Sequence, residues 1–389
     1  MRSQPKRSIR IYSLDSLRAI MMLLGLVLHS AITYGVYENS AWSLKDSITH
    51  ISNDYIVSFI HTFRMQIFFI VAGFFGSMLF YERKPLEMIK NRAARIVSPF
   101  IVFMFLLWPT TVFAFGYTRL VLEGNVNALE DSISVFSNLF ILIPRHTFHL
   151  WFLYYLALIT SISIVLALVL QKLPSITNNI SRVFNWIINK SIARVIIFAS
   201  ITATVYFIIG SWSVSTSTSI VPDFNILIYY LAFYIIGWIL FKSKHLLDTF
   251  MKYDWLFTIL AVVLFSIYFF MSHGFSYISH VIIKSIMVWL FIFGITGLFI
   301  RYASNHSSIM RYISDASYWV YLIHLPLTAI IPGLISDWII PATLKFLLVF
   351  IITSMSCFLS YHYFVRGTFI GQFLNGRRYS SRLSDIKEV

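Results

Sequence analysis

Stretches of about twenty apolar residues recur from one end of this chain to the other, and a chain patterned in that way has lipid as its solvent. Only 12% of its residues are charged, about half the share of a soluble domain. The mean hydropathy of +0.77 agrees. The expected fold class is all-α: a polytopic membrane protein of about ten transmembrane helices. Spans are placed near 14–37, 55–80, 96–116, 148–170, 193–210, 224–241, 255–272, 278–300, 317–334 and 338–364. The ninth, "YWVYLIHLPLTAIIPGL", is short and holds Pro326 and Pro332.

Lysine and arginine set the orientation. They crowd the N-terminal tail (Arg2, Lys6, Arg7, Arg10) and the second connection (Arg83, Lys84, Lys90, Arg92, Arg95). The fourth connection has Lys172, Arg182, Lys190 and Arg194, the sixth Lys242, Lys244 and Lys252, and the eighth Arg301 and Arg311. The C-terminal tail adds Arg366, Arg377, Arg378, Arg382 and Lys387, while the alternate connections are nearly empty of basic residues. Both termini are therefore expected in the cytoplasm, with a basic tail over 1–13, a transmembrane domain over 14–364 and a second tail over 365–389. The net charge of +14 is then an orientation signal and not a nucleic-acid footprint. The basic N-terminus before an apolar run is signal-like, but Asp15 and Arg18 lie inside that run, so it is expected to be a retained helix.

Cys357 is the single cysteine, which leaves no disulfide framework and no cysteine-based metal site. No HExxH, GxSxG or phosphate-binding loop is present, and no metal is expected. "SRVFNWIINKSIAR" in the fourth connection has the pattern of an interfacial helix. The third connection, about 117–147, is the largest segment outside the bilayer.

Ionisable side chains within membrane spans are costly and usually face a partner or a cavity. Arg18 and His29 are separated by eleven residues, about 16 Å of helix and nearly whole turns, so they project from one face. Arg18 lies toward the cytoplasm with Asp15 one turn before it, and His29 lies beyond the midplane. Individually, the arginine can snorkel and the histidine can be a packing residue; on one face together they suggest a site. His61 and Arg64 share a face in the outer half of the second span, and Arg64 is deep enough to need an acceptor. His149 is placed to join His29 and His61 in an outer-half cavity. Trp151 fits an aromatic belt as well as a supporting role. Arg92 and Arg95 are either positive-inside residues or a clamp for a phosphorylated donor. His324, next to Pro326, either helps line a donor entrance or caps a kink. Glu38, Asp46, Asp54 and Asp223 are expected to be solvated, and Lys284 has no evident partner.

These segments resemble the membrane-bound acyltransferase 3 family. The family's basic residue, ten intervening residues and histidine are matched by Arg18 and His29, and its paired-arginine motif by Arg92-Ala-Ala-Arg95. "FFIVAGFF" and "YLIHLPLT" match its later segments, in order. The resemblance implies transfer of an acyl group from cytoplasmic acyl-CoA to an extracytoplasmic glycan across a bacterial inner membrane. The glucan-modifying branch implies succinyl-CoA as donor and osmoregulated periplasmic glucan as acceptor. Acetyl-CoA and another surface polysaccharide are the alternative. It further implies that Arg18, Arg92 and Arg95 hold the donor while His29 acts as general base or brief acyl carrier. Arg64 would stabilise an oxyanion or pair with a succinyl carboxylate. No cofactor is expected to be permanently bound, and nothing in the sequence sets an oligomeric state. The rivals are a proton-coupled transporter or flippase using the histidines as a relay, and a membrane sensor without chemistry.

Overall fold

In hydrocarbon a backbone polar group must find its partner within the protein, which makes the helix the local solution for each apolar run. The computed structural model describes residues 11–39, 41–214, 216–376, 378 and 379. Arg2, Lys6, Arg7, Arg10, Arg377, Arg382 and Lys387 of the expected basic tails lie outside the described residues. Among the described residues, ten helical segments are long and apolar enough to cross a membrane, and no strand forms.

In chain order these are α1 (Tyr12–Tyr34), α2 (Ile51–Arg83), α3 (Pro85–Leu122), α4 (Phe148–Gln171), α5 (Ser191–Ile209), α6 (Phe224–Lys242), α7 (Lys244–Met271), α8 (Tyr277–Tyr302), α9 (Ser308–Leu334) and α10 (Ala342–Val365). Each expected span falls on one of them. An even number of crossings returns the chain to its starting side, which we call the basic face; the other is the distal face.

Two helices are much longer than their apolar runs. The second connection is itself helical: α2 ends at Arg83, Lys84 turns the chain with a positive φ of 95°, and Pro85 opens α3. Proline suits a first helical turn because its missing N–H would lack a partner there in any case. Residues Ala93–Val97 then form a wider π turn before the apolar part of α3, a local widening often found beside functional sites. The ninth span begins at Ser308, so Arg311 and Asp315 are on the helix and not in a loop before it.

Close helix approach needs glycine, because lipid tails supply no hydrophobic drive between apolar helices. Gly73 of α2 and Gly237 of α6 face each other's backbones: an added Cβ would sit 2.0 Å from the Tyr234 oxygen and 1.9 Å from the Ile70 oxygen, respectively. That seam makes α2 the central post, and Phe69 stacks on Tyr230 beside it with ring centroids 4.5 Å apart. The fourth connection carries the helix Pro174–Asn189. Its buried face has Phe184, Ile187 and Ile188, and Ile176, Ile180, Val183 and Trp186 form an exposed apolar face, as an interfacial helix requires.

Several charges expected in water are buried. Asp46 makes an ion pair at 2.9 Å with Lys345 of α10, both almost inaccessible. Asp54 accepts from the Val36 and Tyr37 backbone N–H groups and fixes the first connection. Both acids are thereby corrected from solvated loop residues to structural ones, whereas Glu38 is exposed. Arg194 is fully buried, its Cζ 4.8 Å from the ring centroids of both Phe250 and Phe293 and its Nη1 donating to the Ile188 oxygen at 3.2 Å. Lys345→Met would leave Asp46 as an unpaired buried charge, a loss of about 3–5 kcal/mol. The expected result is a sharp fall in thermal stability that the double variant Lys345→Met/Asp46→Leu largely reverses, read by thermal unfolding in detergent.

Candidate active site

Two cavities penetrate the helix bundle from opposite faces. The basic-face cavity, about 690 Å³, is lined by residues of α1, α2, α3, α4 and α9 and by the chain after α10. The distal cavity, about 570 Å³, is lined by residues of α1 through α9 and by the connections above them. Neighbouring residues open into different cavities: Gln66 into the distal one and Phe68 into the other, and likewise Trp151 and Phe152. The partition is therefore about one layer of side chains thick. Phe68 and Phe152 meet edge to face within it at 4.4 Å, with Tyr321 beside Phe152.

The basic-face cavity presents five arginines, Arg18, Arg83, Arg92, Arg95 and Arg311, against two acids, Asp15 and Asp315. Asp15 holds Arg18 at 3.3 Å. Arg311 and Asp315 pair at 3.0 Å. Arg95 donates to the Leu374 oxygen at 3.1 Å. Arg92 is different: its Nε and Nη2 are buried with no hydrogen-bond partner. A guanidinium with unused donors beside a cavity that carries four other arginines has the chemistry to pair with an anion's oxygens.

The chain after α10, read from sequence as a tail, forms the floor of this cavity. Leu374, Asn375 and Tyr379 line it. Asn375 donates to the Asp315 backbone oxygen at 3.1 Å, and the Tyr379 hydroxyl donates to the Asp315 carboxylate at 2.9 Å. Burial pushes the Tyr379 hydroxyl up to about 12, with the Asp315 charge adding to the shift, so it stays a proton donor. Gly376, at φ +73°, lets the Arg95 guanidinium pass where a Cβ would stand. Arg366, expected in the tail, is buried over the ring of Tyr312 at 4.8 Å.

His29, His61, Arg64 and His149, placed at similar depth by the sequence, all line the distal cavity, and Trp151 lines it with them. The His29 Nδ1 is buried without a partner, which leaves Nε2 as the nitrogen open to the cavity. Its ring stacks on Trp42 at 5.2 Å and lies 5.3 Å from the ring of His324. His324 is 5.2 Å from His149 and completes a cluster of three imidazoles. His324 is absent from the basic-face lining; its place is beside His29 and His149. Trp151 is buried and packs on Tyr230 at 5.8 Å, so it is a cavity wall and not a membrane-belt residue.

Pro326 explains how His149 is held. Proline has no N–H to offer the carbonyl four residues back, and that carbonyl, on Leu322, accepts from the His149 Nε2 at 2.8 Å. The His149 proton is thus on Nε2. His324 uses Nδ1 toward the Tyr321 oxygen at 2.7 Å, which puts its proton there. Both rings keep a buried nitrogen without a partner, the His149 Nδ1 and the His324 Nε2. Arg64 lies in the notch left by Gly25, where a Cβ would be 3.0 Å from its Nη1, one turn before His29 on α1. The residues that sequence reasoning missed are Trp42, Arg311, Asp315, Asn375 and Tyr379. A tryptophan in a short connection was the one signal for Trp42, and nothing in the local pattern marks the others.

A membrane protein with a buried, open imidazole meeting a cationic cavity across one layer of side chains is built for group transfer, and the comparisons with known proteins agree. The acyltransferase-domain family model matches residues 11–362, and the chain belongs to that family. It is 27% identical to glucans biosynthesis protein C of Salmonella paratyphi A (strain ATCC 9150 / SARB42) over 82% of each chain. The protein of that name from Escherichia coli O157:H7 is 26% identical over 86% of this chain and 88% of its own. No solved structure gives a significant match. The protein is a multi-pass membrane O-acyltransferase.

Pro326→Ala restores an N–H that competes for the Leu322 oxygen and frees the His149 ring. The expected outcome is a roughly tenfold lower kcat, about 1.4 kcal/mol in the barrier, without loss of thermal stability. Gly376→Val should displace Arg95 and raise the KM for the acyl donor while leaving the KM for the acceptor near its wild-type value, a split that steady-state kinetics resolves.

Proposed function

We propose that the protein moves an acyl group, succinyl in the favoured reading, from cytoplasmic acyl-CoA to a hydroxyl of an extracytoplasmic glucan, and that it does so in the bacterial inner membrane. The observation that carries this reading is the meeting of the two cavities at a one-residue partition. The donors of Arg92 have no partner on one side, and the accessible nitrogen of His29 lies on the other.

In this reading the basic face is cytoplasmic. Arg92, Arg95 and Arg18 hold the phosphates of acyl-CoA in the basic-face cavity. The pantetheine arm threads the partition where Phe68 and Phe152 meet, which requires those rings to rotate apart. From Arg18 to His29 the helix advances about 16 Å, a distance that the extended arm spans.

The chemistry follows from the distal cavity. The Nε2 of His29 takes the proton of a sugar hydroxyl, whose oxygen attacks the thioester carbonyl. Negative charge develops on that carbonyl oxygen, and Arg64 in the Gly25 notch supplies positive charge beside it. Collapse breaks the carbon–sulfur bond, the thiolate takes the proton from His29, and the ester remains on the sugar. His149 and His324 keep the base in place and leave no acid beside it. Trp42, Trp151 and Tyr230 give flat apolar walls for sugar rings, and Thr216 and Thr218 of the fifth connection add hydroxyls at the rim.

His29→Gln is expected to leave insertion and abundance intact and to abolish acyl transfer. Arg92→Ala is expected to raise the KM for acyl-CoA at least tenfold, about 1.4 kcal/mol of lost binding, with little change in the acceptor KM. Persisting transfer in His29→Gln, or equal effects of Arg92→Ala on both substrates, would contradict these assignments. The mass added to glucans from cells carrying the gene, compared with cells lacking it, separates succinyl from acetyl.

A further inference from the structure

The distal cavity holds two cations, Arg64 and Lys284, and no aspartate or glutamate lines it. Arg64 is accounted for by its place beside His29. Lys284 is not. It lies on α8 seven residues from the distal end of the helix, about 10 Å below the rim. A lysine stem can reach a membrane surface from that depth, yet Lys284 lines the cavity. Among the described residues it has no hydrogen bond and no ion pair, and its ammonium lies over the face of Tyr268 at 5.6 Å. A single cation–π contact of about 0.5–1 kcal/mol is little stabilisation for an ammonium group that is only partly exposed.

The surroundings of Lys284 are built and not incidental. The Tyr268 hydroxyl is hydrogen-bonded to the His280 Nδ1 at 2.6 Å, and His280 stacks on Trp212 at 4.8 Å. Tyr268 and Trp212 both line the cavity. This end of the chamber therefore combines aromatic faces of the kind that pack on sugar rings with a cation lacking a counter-ion. It lies near the rim, whereas Arg64 lies at the partition.

We propose that Lys284 binds an anionic substituent, a carboxylate or a phosphate, on the acceptor glycan, so that the enzyme selects acidic acceptors over neutral ones. The proposal rests on the reading of the distal cavity as the acceptor chamber. A free carboxylate on the acyl group has the same chemistry, but it would enter with the donor at the Arg64 end.

The test uses the full chain purified in detergent and three probes: a neutral glucose oligosaccharide, the same oligosaccharide with one C6 oxidised to a carboxylate, and the same with one C6 phosphorylated. The wild-type protein is expected to bind at least one charged probe roughly tenfold more tightly than the neutral one at low salt. Lys284→Gln should bring that ratio to near one, and Lys284→Arg should keep most of it. No charge preference in the wild type, or a preference that survives in Lys284→Gln, overturns the proposal. Turnover with succinyl-CoA and acetyl-CoA separates the two sources of charge: a loss confined to succinyl transfer in Lys284→Gln assigns Lys284 to the donor and also overturns it. Charged probes that bind with this preference but are never acylated contradict the proposed function and leave the anion site standing. Acylation without charge preference does the reverse.

Discussion

A cation below the surface of a membrane must meet an anion, a set of carbonyls and aromatic faces, or a water-filled space, because hydrocarbon offers none of these. That constraint sorts the buried basic residues of this protein. Lys345 meets Asp46, and Arg311 meets Asp315. Arg194 is held by its Nη1, which donates to the Ile188 and Thr249 oxygens, and by two phenylalanine faces, although its Nε and Nη2 have no partner. These hold helices together. Arg64, the Nε and Nη2 of Arg92, and Lys284 have no hydrogen bond or ion pair among the described residues, and each faces a cavity. In the proposed reading, the unpaired cations that face a cavity are the places where a substrate brings the missing charge.

The same economy shapes the rest of the site. Gly73 and Gly237 let α2 and α6 touch backbone to backbone, which keeps the central post rigid while cavities open on either side of it. Gly25 gives Arg64 its notch, and Gly376 gives Arg95 its path to the cavity floor. Pro326 withholds one N–H and so orients His149. In each case an absent group, a Cβ or an N–H, makes room for a functional one.

Much of the fold was legible because a spanning helix is a local object. All ten spans were readable from apolar runs, and the alternation of basic connections agreed with an even number of crossings. The depth of His29, His61, Arg64 and His149 was readable from helical rise, and all four line one cavity. What could not be read was contact between distant segments. Asp46 looked like a loop acid because Lys345 lies 299 residues away. Tyr379 and Asn375 looked like tail because their partner is Asp315 on α9. His324 sits on the same helix face region as the expected entrance, and only the crossing of α9 with α1 brings it to His29. Trp42 reaches His29 from a connection, where hydropathy carries no information about direction.

The central claim is that donor and acceptor occupy opposite cavities and that the acyl group crosses the partition between them. The most direct measurement seals labelled acyl-CoA inside proteoliposomes whose basic face points inward and supplies glucan oligosaccharide only outside. The expected result is labelled ester on the external glucan with free CoA retained inside, lost in His29→Gln. Ester that forms only when donor and acceptor share one side of the membrane would contradict the claim.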